Sequence, residues 1–136
     1  MKPVWLSKVL FLGAFSLAIA SCDKDTTTID NPPSVGGKGG HSWLSVVPLH
    51  EGDDIDSCIV YIKYNTLDIP DQYDDSLEVV RVGGRPRAIF TDLKPGNYYI
   101  YGRGWDNVRS LAIAGGFPFT IKSENGEDNM ELSLFY

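Results

Sequence analysis

Residues Ala88 to Gly104, which read AIFTDLKPGNYYIYGRG, constrain the fold of this chain more than any other stretch. Apolar and polar residues alternate on both sides of a central break, which is the spacing that lets a β-strand bury one face. The break is Lys94-Pro95-Gly96-Asn97, in which proline presets φ and glycine accepts a positive φ. The stretch therefore predicts two strands joined by a tight turn, and with them an all-β domain.

Similar short runs recur along the rest of the chain. They are separated by turn-rich breaks such as Gly83-Gly84-Arg85-Pro86 and Ser123-Glu124-Asn125-Gly126, and none has the periodicity of an amphipathic helix. About seven strands at this spacing favour a single antiparallel β-sandwich. The predicted strands are Trp43–Leu49, Asp56–Tyr64, Leu77–Val82, Arg87–Thr91, Asn97–Gly102, Phe117–Lys122 and Asn129–Phe135.

Within each predicted strand, the apolar residues of one parity are expected to form the core between two sheets. They are Leu44, Val46, Cys58, Val60, Ile62, Tyr64, Phe90, Leu93, Tyr98, Ile100, Phe117, Phe119, Ile121, Met130, Leu132 and Leu134. Because the last three lie on the final strand, truncation of that strand is expected to unfold the domain.

The block from Phe90 to Ile100, FTDLKPGNYYI, resembles a known family signature. The signature is F-x-x-L-x-P-G-x-Y-x-hydrophobic, and it occurs in prealbumin-like, carboxypeptidase-regulatory-like and collagen-adhesin repeat domains. The resemblance implies a prealbumin-like sandwich in which the second and fifth strands are neighbours. It also implies an accessory, carrier or stalk role without catalytic residues.

The first 21 residues are predicted to be a secretory signal peptide. Lys2 and Lys8 form a basic start, and the apolar run that follows is too short to span a bilayer. The sequence Ile19-Ala20-Ser21-Cys22 resembles the lipobox of bacterial lipoproteins, in which the cysteine is acylated and becomes the new N-terminus. The resemblance implies a membrane anchor at Cys22, with palmitate among the acyl groups. The alternative is an ordinary signal peptide that happens to contain a cysteine.

Residues 22–40 are predicted to form the lipidated cysteine and a flexible tether, and residues 41–136 the sandwich domain. The tether is rich in proline and then in glycine, and it has no apolar periodicity. Its charged start, Asp23-Lys24-Asp25, resembles the export tag of Gram-negative bacteria that display lipoproteins on the cell surface. We therefore expect a protein anchored in the outer membrane that faces the periplasm or the cell surface.

Net charge and cysteine content limit the possible partners. A formal net charge of −6 disfavours nucleic acid and anionic lipid headgroups. If Cys22 is lipidated, Cys58 is the remaining thiol, and no intramolecular disulfide can form. Cys58 shares parity with Val60 and Ile62, which favours a buried and inert side chain over a reactive or metal-binding thiol.

Candidate metal ligands cluster where the first predicted strand turns into the second. His50 with Asp53, Asp54 and Asp56 has the chemistry to hold a divalent transition metal, and carboxylates alone hold calcium. The alternative is a solvated acidic turn with a surface histidine. The sequence contains neither a G-x-S-x-G motif nor a phosphate-binding glycine loop, so we expect a protein that is not an enzyme and has no cofactor.

An aromatic run follows the central turn. Tyr99, Tyr101, Arg103 and Trp105 are predicted to face solvent along one strand. The strand order that the resemblance implies places three residues of the second strand beside them, namely Ile59, Tyr61 and Lys63. Such a platform suits a sugar ring or a protein partner. Its alternative role is to stabilise the sheet through cross-strand aromatic pairs.

Two predicted loops, at residues 65–76 and 106–116, are longer than a hairpin needs, and long loops often hold recognition residues. Together these features predict a lipid-anchored binding or accessory module of the cell envelope. Its aromatic sheet face would contact a glycan or an envelope protein, and its lipid anchor would contact the membrane. The second hypothesis is an envelope metal-binding protein that uses His50, and the third is an enzyme acting on envelope polymers.

Overall fold

The computed structural model describes residues 35–136, which form nine β-strands and no helix. The strands are β1 (Lys38–His50), β2 (Asp53–Asp54), β3 (Ser57–Tyr64), β4 (Asp75–Glu78), β5 (Val80–Val82), β6 (Arg85–Leu93), β7 (Gly96–Asp106), β8 (Leu111–Ile121) and β9 (Asn125–Ser133). No helix capable of crossing a membrane occurs among these residues. The predicted signal peptide, Cys22 and the tether up to residue 34 lie outside the described residues.

The strands form two sheets that pack against each other. The first sheet has the order β2-β1-β6-β5, with β9 also paired to β1, and the second has the order β4-β3-β7-β8. Among the described strands, every pair is antiparallel except β1 and β9, which run parallel from His41 opposite Asn125 to Leu49 opposite Ser133. The all-β architecture predicted from alternation is confirmed, with nine strands instead of about seven.

Two strand boundaries differ from the sequence prediction. β1 begins at Lys38, inside the segment predicted to be tether. The predicted strand Leu77–Val82 is two strands in different sheets, because β4 pairs with β3 whereas β5 pairs with β6. The chain changes sheets at Val79, whose N–H donates to the carbonyl of Cys58 at 3.0 Å. Alternation identifies an extended segment but not the strand with which it pairs.

The predicted loop at residues 106–116 is wrong. β7 continues to Asp106 and β8 begins at Leu111, so a short turn joins two long paired strands. The Asp106 carboxylate supports this turn, since its Oδ1 accepts hydrogen bonds from the N–H groups of Val108 at 2.9 Å and Arg109 at 3.0 Å. Aspartate often stabilises turns in this way, and here it shortens the loop to a hairpin turn.

The turn at Lys94–Pro95 joins the two sheets. β6 belongs to the first sheet and β7 to the second, so the predicted strand pair is a corner between layers. The Tyr98 hydroxyl donates to the carbonyl of Lys94 at 2.5 Å and accepts from the N–H of Gly37 at 2.8 Å. This arrangement resembles a tyrosine corner, in which one hydroxyl group holds both the turn and the residue before β1.

The core lies between the sheets and follows the predicted parity closely. Leu44, Val60, Ile62, Phe90, Leu93, Tyr98, Ile100, Leu132 and Leu134 are among its fully buried side chains. Cys58 is also buried, as predicted, whereas Tyr64 and Phe119 are partly buried at its margin. The prediction that Phe117 lies in the core is wrong, since its side chain is 61% exposed. It lies opposite Ile100, but β8 is the edge strand of its sheet, and the fully buried side chains of β8 are Ile113 and Ile121, near its two ends.

Gly102 on β7 makes room for the last strand. A Cβ at this position would lie 2.9 Å from the Cδ2 atoms of Leu132 and Leu134. Beyond β9 the chain bonds to both sheets. The N–H of Leu134 donates to the carbonyl of Leu49 at 2.7 Å, and Phe135 exchanges two hydrogen bonds with Ala114 on β8. The residues after β9 therefore connect the first sheet to the edge of the second.

Candidate binding face of the second sheet

The outer face of the second sheet gathers the predicted aromatic residues. β3 and β7 are antiparallel neighbours, with Tyr61 opposite Tyr101 and Ser57 opposite Trp105. Residues directly opposite each other in an antiparallel pair project from the same face. The expected placement of β3 beside β7 is therefore confirmed, and Ile59 and Lys63 lie opposite Arg103 and Tyr99 respectively.

Three tyrosine rings pack together on this face, and we call Tyr61, Tyr73 and Tyr101 the tyrosine cluster. The rings of Tyr61 and Tyr101 have centroids 5.9 Å apart. Tyr73 lies 5.4 Å from Tyr61 and stacks on Tyr101 at 5.6 Å with an interplanar angle of 19°. Burial, with a smaller effect of the neighbouring tyrosines, raises the pKa of Tyr73 above its ordinary value. The loop between β3 and β4 thus folds back onto the sheet.

Sequence reasoning missed Tyr73 because it belongs to no strand. The stretch from Asn65 to Ser76 is long, and Tyr73 is its aromatic residue, but periodicity does not show where a loop side chain packs. The loop is held by Asp74, whose Oδ2 accepts from the N–H of Tyr64 at 2.7 Å and whose Oδ1 accepts from Lys63 at 3.1 Å. These bonds place Tyr73 directly over β3 and β7.

Tyr99 lies on the predicted face but is 7% exposed. Its ring lies over Gly116 on β8, where a Cβ would lie 2.5 Å from the Tyr99 hydroxyl oxygen and 2.7 Å from Cε1. Gly116 has no side chain, so the ring lies close against the neighbouring strand and loses its contact with solvent. The prediction that Tyr99 faces outward is therefore right in direction, but the side chain offers little surface to a ligand.

Trp105 is 45% exposed and stands at a groove of about 600 Å³, which we call the Trp105 groove. Its outer-face lining includes Ile59, Glu78 and Arg103. Ile59 lies opposite Arg103 on one neighbouring strand and opposite Glu78 on the other, so a cation and an anion flank an apolar floor. Among the described residues, no hydrogen bond or ion pair engages the side chain of Arg103, Glu78 or Trp105.

The other arginines in the described part of the chain all have side-chain partners. Arg81 binds Asp56 at 2.8 Å and Arg85 binds Asp54 at 2.7 Å. The remaining contacts are Arg85 with Glu131, Arg87 with Ser45 and Asn129, and Arg109 with Glu51, Asp53 and Asp106. Within residues 35–136 of this acidic protein, Arg103 is therefore the arginine whose guanidinium has no partner and is available to a ligand.

Among the described residues, the four predicted metal ligands do not form a metal-binding group, although His50 lies opposite Asp53 in the β1–β2 pair. His50 is 2% exposed, so it is not a surface histidine, and its Nδ1 lies 2.7 Å from Oδ2 of Asp106. Asp53, Asp54 and Asp56 instead bind Arg109, Arg85 and Arg81 respectively. Within residues 35–136 no group of three or more His, Cys, Asp or Glu side chains has a metal-binding arrangement. Each of these three carboxylates has a guanidinium partner, so the geometry gives no support to a metal site here.

Asp106 is the buried carboxylate that sequence reasoning missed. It is 1% exposed, and its Oδ2 accepts hydrogen bonds from His50 and from Nη1 of Arg109, the latter at 3.0 Å. The hydrogen bond from His50, followed by the bonds from Arg109 and Val108, holds the pKa of this carboxyl well below its ordinary value. Since His50 ends β1 and Asp106 ends β7, the pair ties one sheet to the other.

Cys58 has the environment of an inert thiol. Burial raises the pKa of its thiol to about 11. Because the thiolate is the nucleophile and the metal ligand, a thiol with this pKa is unreactive at neutral pH. The sequence-based preference for a buried structural cysteine agrees with this geometry.

The sequence matches no protein-family model and no curated protein. The outer face of the second sheet is therefore described by its geometry alone. That face combines the tyrosine cluster, an exposed indole and two charged side chains that lack partners among the described residues.

Proposed function

We propose that this chain is a lipid-anchored lipoprotein of the cell envelope and that its β-domain is a non-catalytic binding or accessory module. The ligand, a glycan or an envelope protein, contacts the outer face of the second sheet. The lipobox-like residues 19–22 support anchoring at Cys22. The charged residues that follow, Asp23-Lys24-Asp25, support an outer-membrane location. Two acyl chains make such an anchor durable, since each buried methylene contributes about 0.8 kcal/mol.

We further propose that the two sheets form a prealbumin-like sandwich. The block from Phe90 to Ile100 supports this, because the four residues that match the apolar and aromatic positions of the signature are all buried. The side-by-side position of β3 and β7, which correspond to the second and fifth predicted strands, also agrees with that arrangement. Accessory modules of this kind fit a protein with no recognisable catalytic motif.

The observation that supports the binding role is the concentration of aromatic surface on a solvent-facing sheet. Trp105 is 45% exposed, and the tyrosine cluster continues the same face along β7 and β3. Aromatic side chains exposed on a sheet face often mark an interaction site, and tyrosine and tryptophan suit both sugars and proteins. The competing metal-binding role receives no support from the geometry around His50.

A double substitution tests this proposal. Tyr101→Ala with Trp105→Ala in the full chain, purified in detergent, is expected to keep the wild-type circular dichroism spectrum and to lose binding on a glycan array or to a cross-linked envelope protein. Trp43→Ala is the matched control, since Trp43 is 39% exposed and belongs to the other sheet. Unfolding of the double variant would show that the face is part of the core, and unchanged binding would contradict the proposed role.

The anchor has its own test. Replacing Cys22 by Ser is expected to move the protein from the membrane fraction to the soluble fraction, because no acyl chain can be attached. Mass spectrometry of the wild-type N-terminal peptide should show a diacylated cysteine at its first position. A wild-type protein that retains residues 1–21, or that is not acylated, would contradict this part of the proposal.

A further inference from the structure

We infer that the Trp105 groove binds a sugar ring of a neutral oligosaccharide. The inference rests on the proposed function and narrows its ligand to one chemical class. Its basis is the arrangement of Trp105, Arg103, Ile59 and Glu78 on neighbouring strands of one sheet. Trp105 and Ile59 match the apolar C–H face of a pyranose ring, and Arg103 and Glu78 match its hydroxyl groups.

The apolar part of the groove fits the C–H face of a sugar. Trp105 is 45% exposed, and Ile59 is half-buried between the two charged side chains. An indole offers a large rigid surface at low entropic cost, and its polar edge stays available for hydrogen bonding. In the described part of the chain, the Nε1–H of Trp105 has no acceptor, so it remains a donor for a ring hydroxyl.

The charged part of the groove fits sugar hydroxyls. A guanidinium offers several donors in a fixed plane, and a carboxylate accepts hydrogen bonds on two oxygens. A hydroxyl group both donates and accepts, so it can bond to Arg103 and to Glu78 in turn. Their backbones are separated by two strand spacings of about 4.8 Å each, a distance comparable to the width of one sugar ring with its substituents.

The local charge balance favours a neutral ligand. Arg103 and Glu78 have opposite charges, so together they contribute no net charge to the groove. The remaining ionised group of the lining is Asp56, whose carboxylate is held by Arg81 at 2.8 Å. A carboxylate on the ligand would gain from Arg103 but would lie near Glu78 in a protein of net charge −6. A cationic ligand would be attracted to Glu78 but repelled by Arg103.

The groove and its surroundings set the size of the ligand. A volume of about 600 Å³ lies within the usual range for small-molecule sites. Tyr101, two positions before Arg103 on β7, faces the same side and begins the tyrosine cluster. A chain of several sugars bound in the groove would therefore extend over Tyr101 and Tyr73, which provide a second aromatic surface.

Calorimetry and tryptophan fluorescence test the inference. The full chain in detergent is titrated with neutral hexasaccharides of glucose and mannose and with an oligogalacturonate of the same length. We expect at least one neutral hexasaccharide to bind more tightly than the acidic one and to change the emission of Trp105. Trp105→Ala is expected to weaken this binding about tenfold or more, and Arg103→Gln and Glu78→Gln several-fold each, because each removes a contact with the sugar. Trp43→Ala should bind as the wild type does.

Three results would overturn the inference. They are the absence of binding to every neutral hexasaccharide, tighter binding of the oligogalacturonate, and neutral binding that Trp105→Ala does not weaken. In each case the proposed function can still stand, provided that the Tyr101→Ala, Trp105→Ala double variant loses an envelope protein partner that the wild type retains. If the double variant keeps all partners of the wild type, the proposed function itself is wrong.

Discussion

The Tyr98 hydroxyl connects segments that are far apart in the sequence. It bonds to Lys94 in the corner between the sheets and to Gly37 immediately before β1. The ring is fully buried and packs edge-on against Tyr64, with centroids 6.0 Å apart. A single side chain therefore closes the end of the core where β1 begins and β7 follows the corner.

Tyr98→Phe is expected to lower the free energy of unfolding by about 1–3 kcal/mol, because it leaves the buried N–H of Gly37 without this acceptor. Denaturant unfolding followed by tryptophan fluorescence measures the difference. Tyr64→Phe is the matched control, since the Tyr64 hydroxyl forms no hydrogen bond within the described residues. Equal effects of the two substitutions would contradict the role given to the Tyr98 hydroxyl.

Asp106 predicts a pH dependence of stability. Its pKa is lowered in the folded state, so the carboxylate stabilises the fold fully at pH values above its ordinary pKa of 3.8. That contribution decreases as the pH falls below this value. Asp106→Asn is therefore expected to be less stable than the wild type at pH 7 and to lose less stability on acidification. Thermal unfolding between pH 7 and pH 2 measures both effects.

The control for this experiment is Asp71→Asn, an exposed carboxylate in the loop before β4. The pKa of Asp54 is also lowered, mainly by its hydrogen bond with Arg85. Asp54 is present in both variants, so it contributes the same pH dependence of stability to each. If Asp106→Asn follows the wild-type curve at every pH, the buried His50–Asp106 pair has no part in acid sensitivity.

Residue types and parity predicted some members of the candidate site and could not predict others. Trp105 and Arg103 follow from strand alternation, which places them on the solvent side of β7. Glu78 joins the site through strand pairing, and Tyr73 joins it through packing of its loop on the sheet. The local sequence pattern shows neither of these. Asp106 was hidden for the same reason, because its partner His50 is distant in sequence.

At the scale of strands, glycine positions decide how closely neighbouring layers approach. Gly102 faces the core against Leu132 and Leu134, and Gly116 faces outward beneath the Tyr99 ring. Both are strand residues, but they contact different groups. The neighbours of Gly102 belong to a packed interior, whereas the neighbour of Gly116 is the free end of one side chain.

Gly102→Ala is expected to destabilise the domain by about 1–3 kcal/mol, because the added methyl overpacks a filled core. Gly116→Ala is the matched comparison and is expected to cost less, since the Tyr99 ring can move outward into solvent. Denaturant midpoints measure the stability of the two variants. Hydroxyl-radical footprinting measures whether Tyr99 becomes more exposed to solvent in Gly116→Ala. A larger loss of stability for Gly116→Ala than for Gly102→Ala would contradict the view that Gly102 faces the more tightly packed neighbours.

The extended segments themselves were largely predictable, and their connections were not. Alternation located most strands, since a half-buried strand must alternate. It could not show that the chain changes sheets at Val79, that the corner at Pro95 joins different layers, or that the edge position of β8 leaves Phe117 exposed. Each of these depends on which strand lies beside which, a property of the assembled sheet.

For the whole molecule, the segment beyond β9 holds both sheets together. Leu134 is buried and bonds to Leu49, whereas Phe135 bonds to Ala114 at the edge of the second sheet. Its loss should therefore affect the packing of the entire core.

Deleting Leu134 to Tyr136 is expected to lower the free energy of unfolding by about 2–5 kcal/mol or more, the usual cost of losing one buried leucine plus these hydrogen bonds. Deleting Tyr136 alone is the control. Tyr136 is 87% exposed and its ring makes a T-shaped contact with His50 at 6.3 Å between centroids, so the expected cost is about 1 kcal/mol or less. Differential scanning calorimetry compares the two, and equal melting temperatures would contradict this role.

The parallel pairing of β1 with β9 also determines when the domain can fold. His41 lies opposite Asn125 and Leu49 opposite Ser133, so the first strand gains this neighbour only after nearly the whole described segment has been synthesised. Hairpins such as β7–β8 can form earlier, but the core stays open until Leu132 and Leu134 arrive, and contacts of this sequence separation form slowly. For a protein that must cross a membrane before it folds, as we propose, this order of events keeps the growing chain competent for translocation.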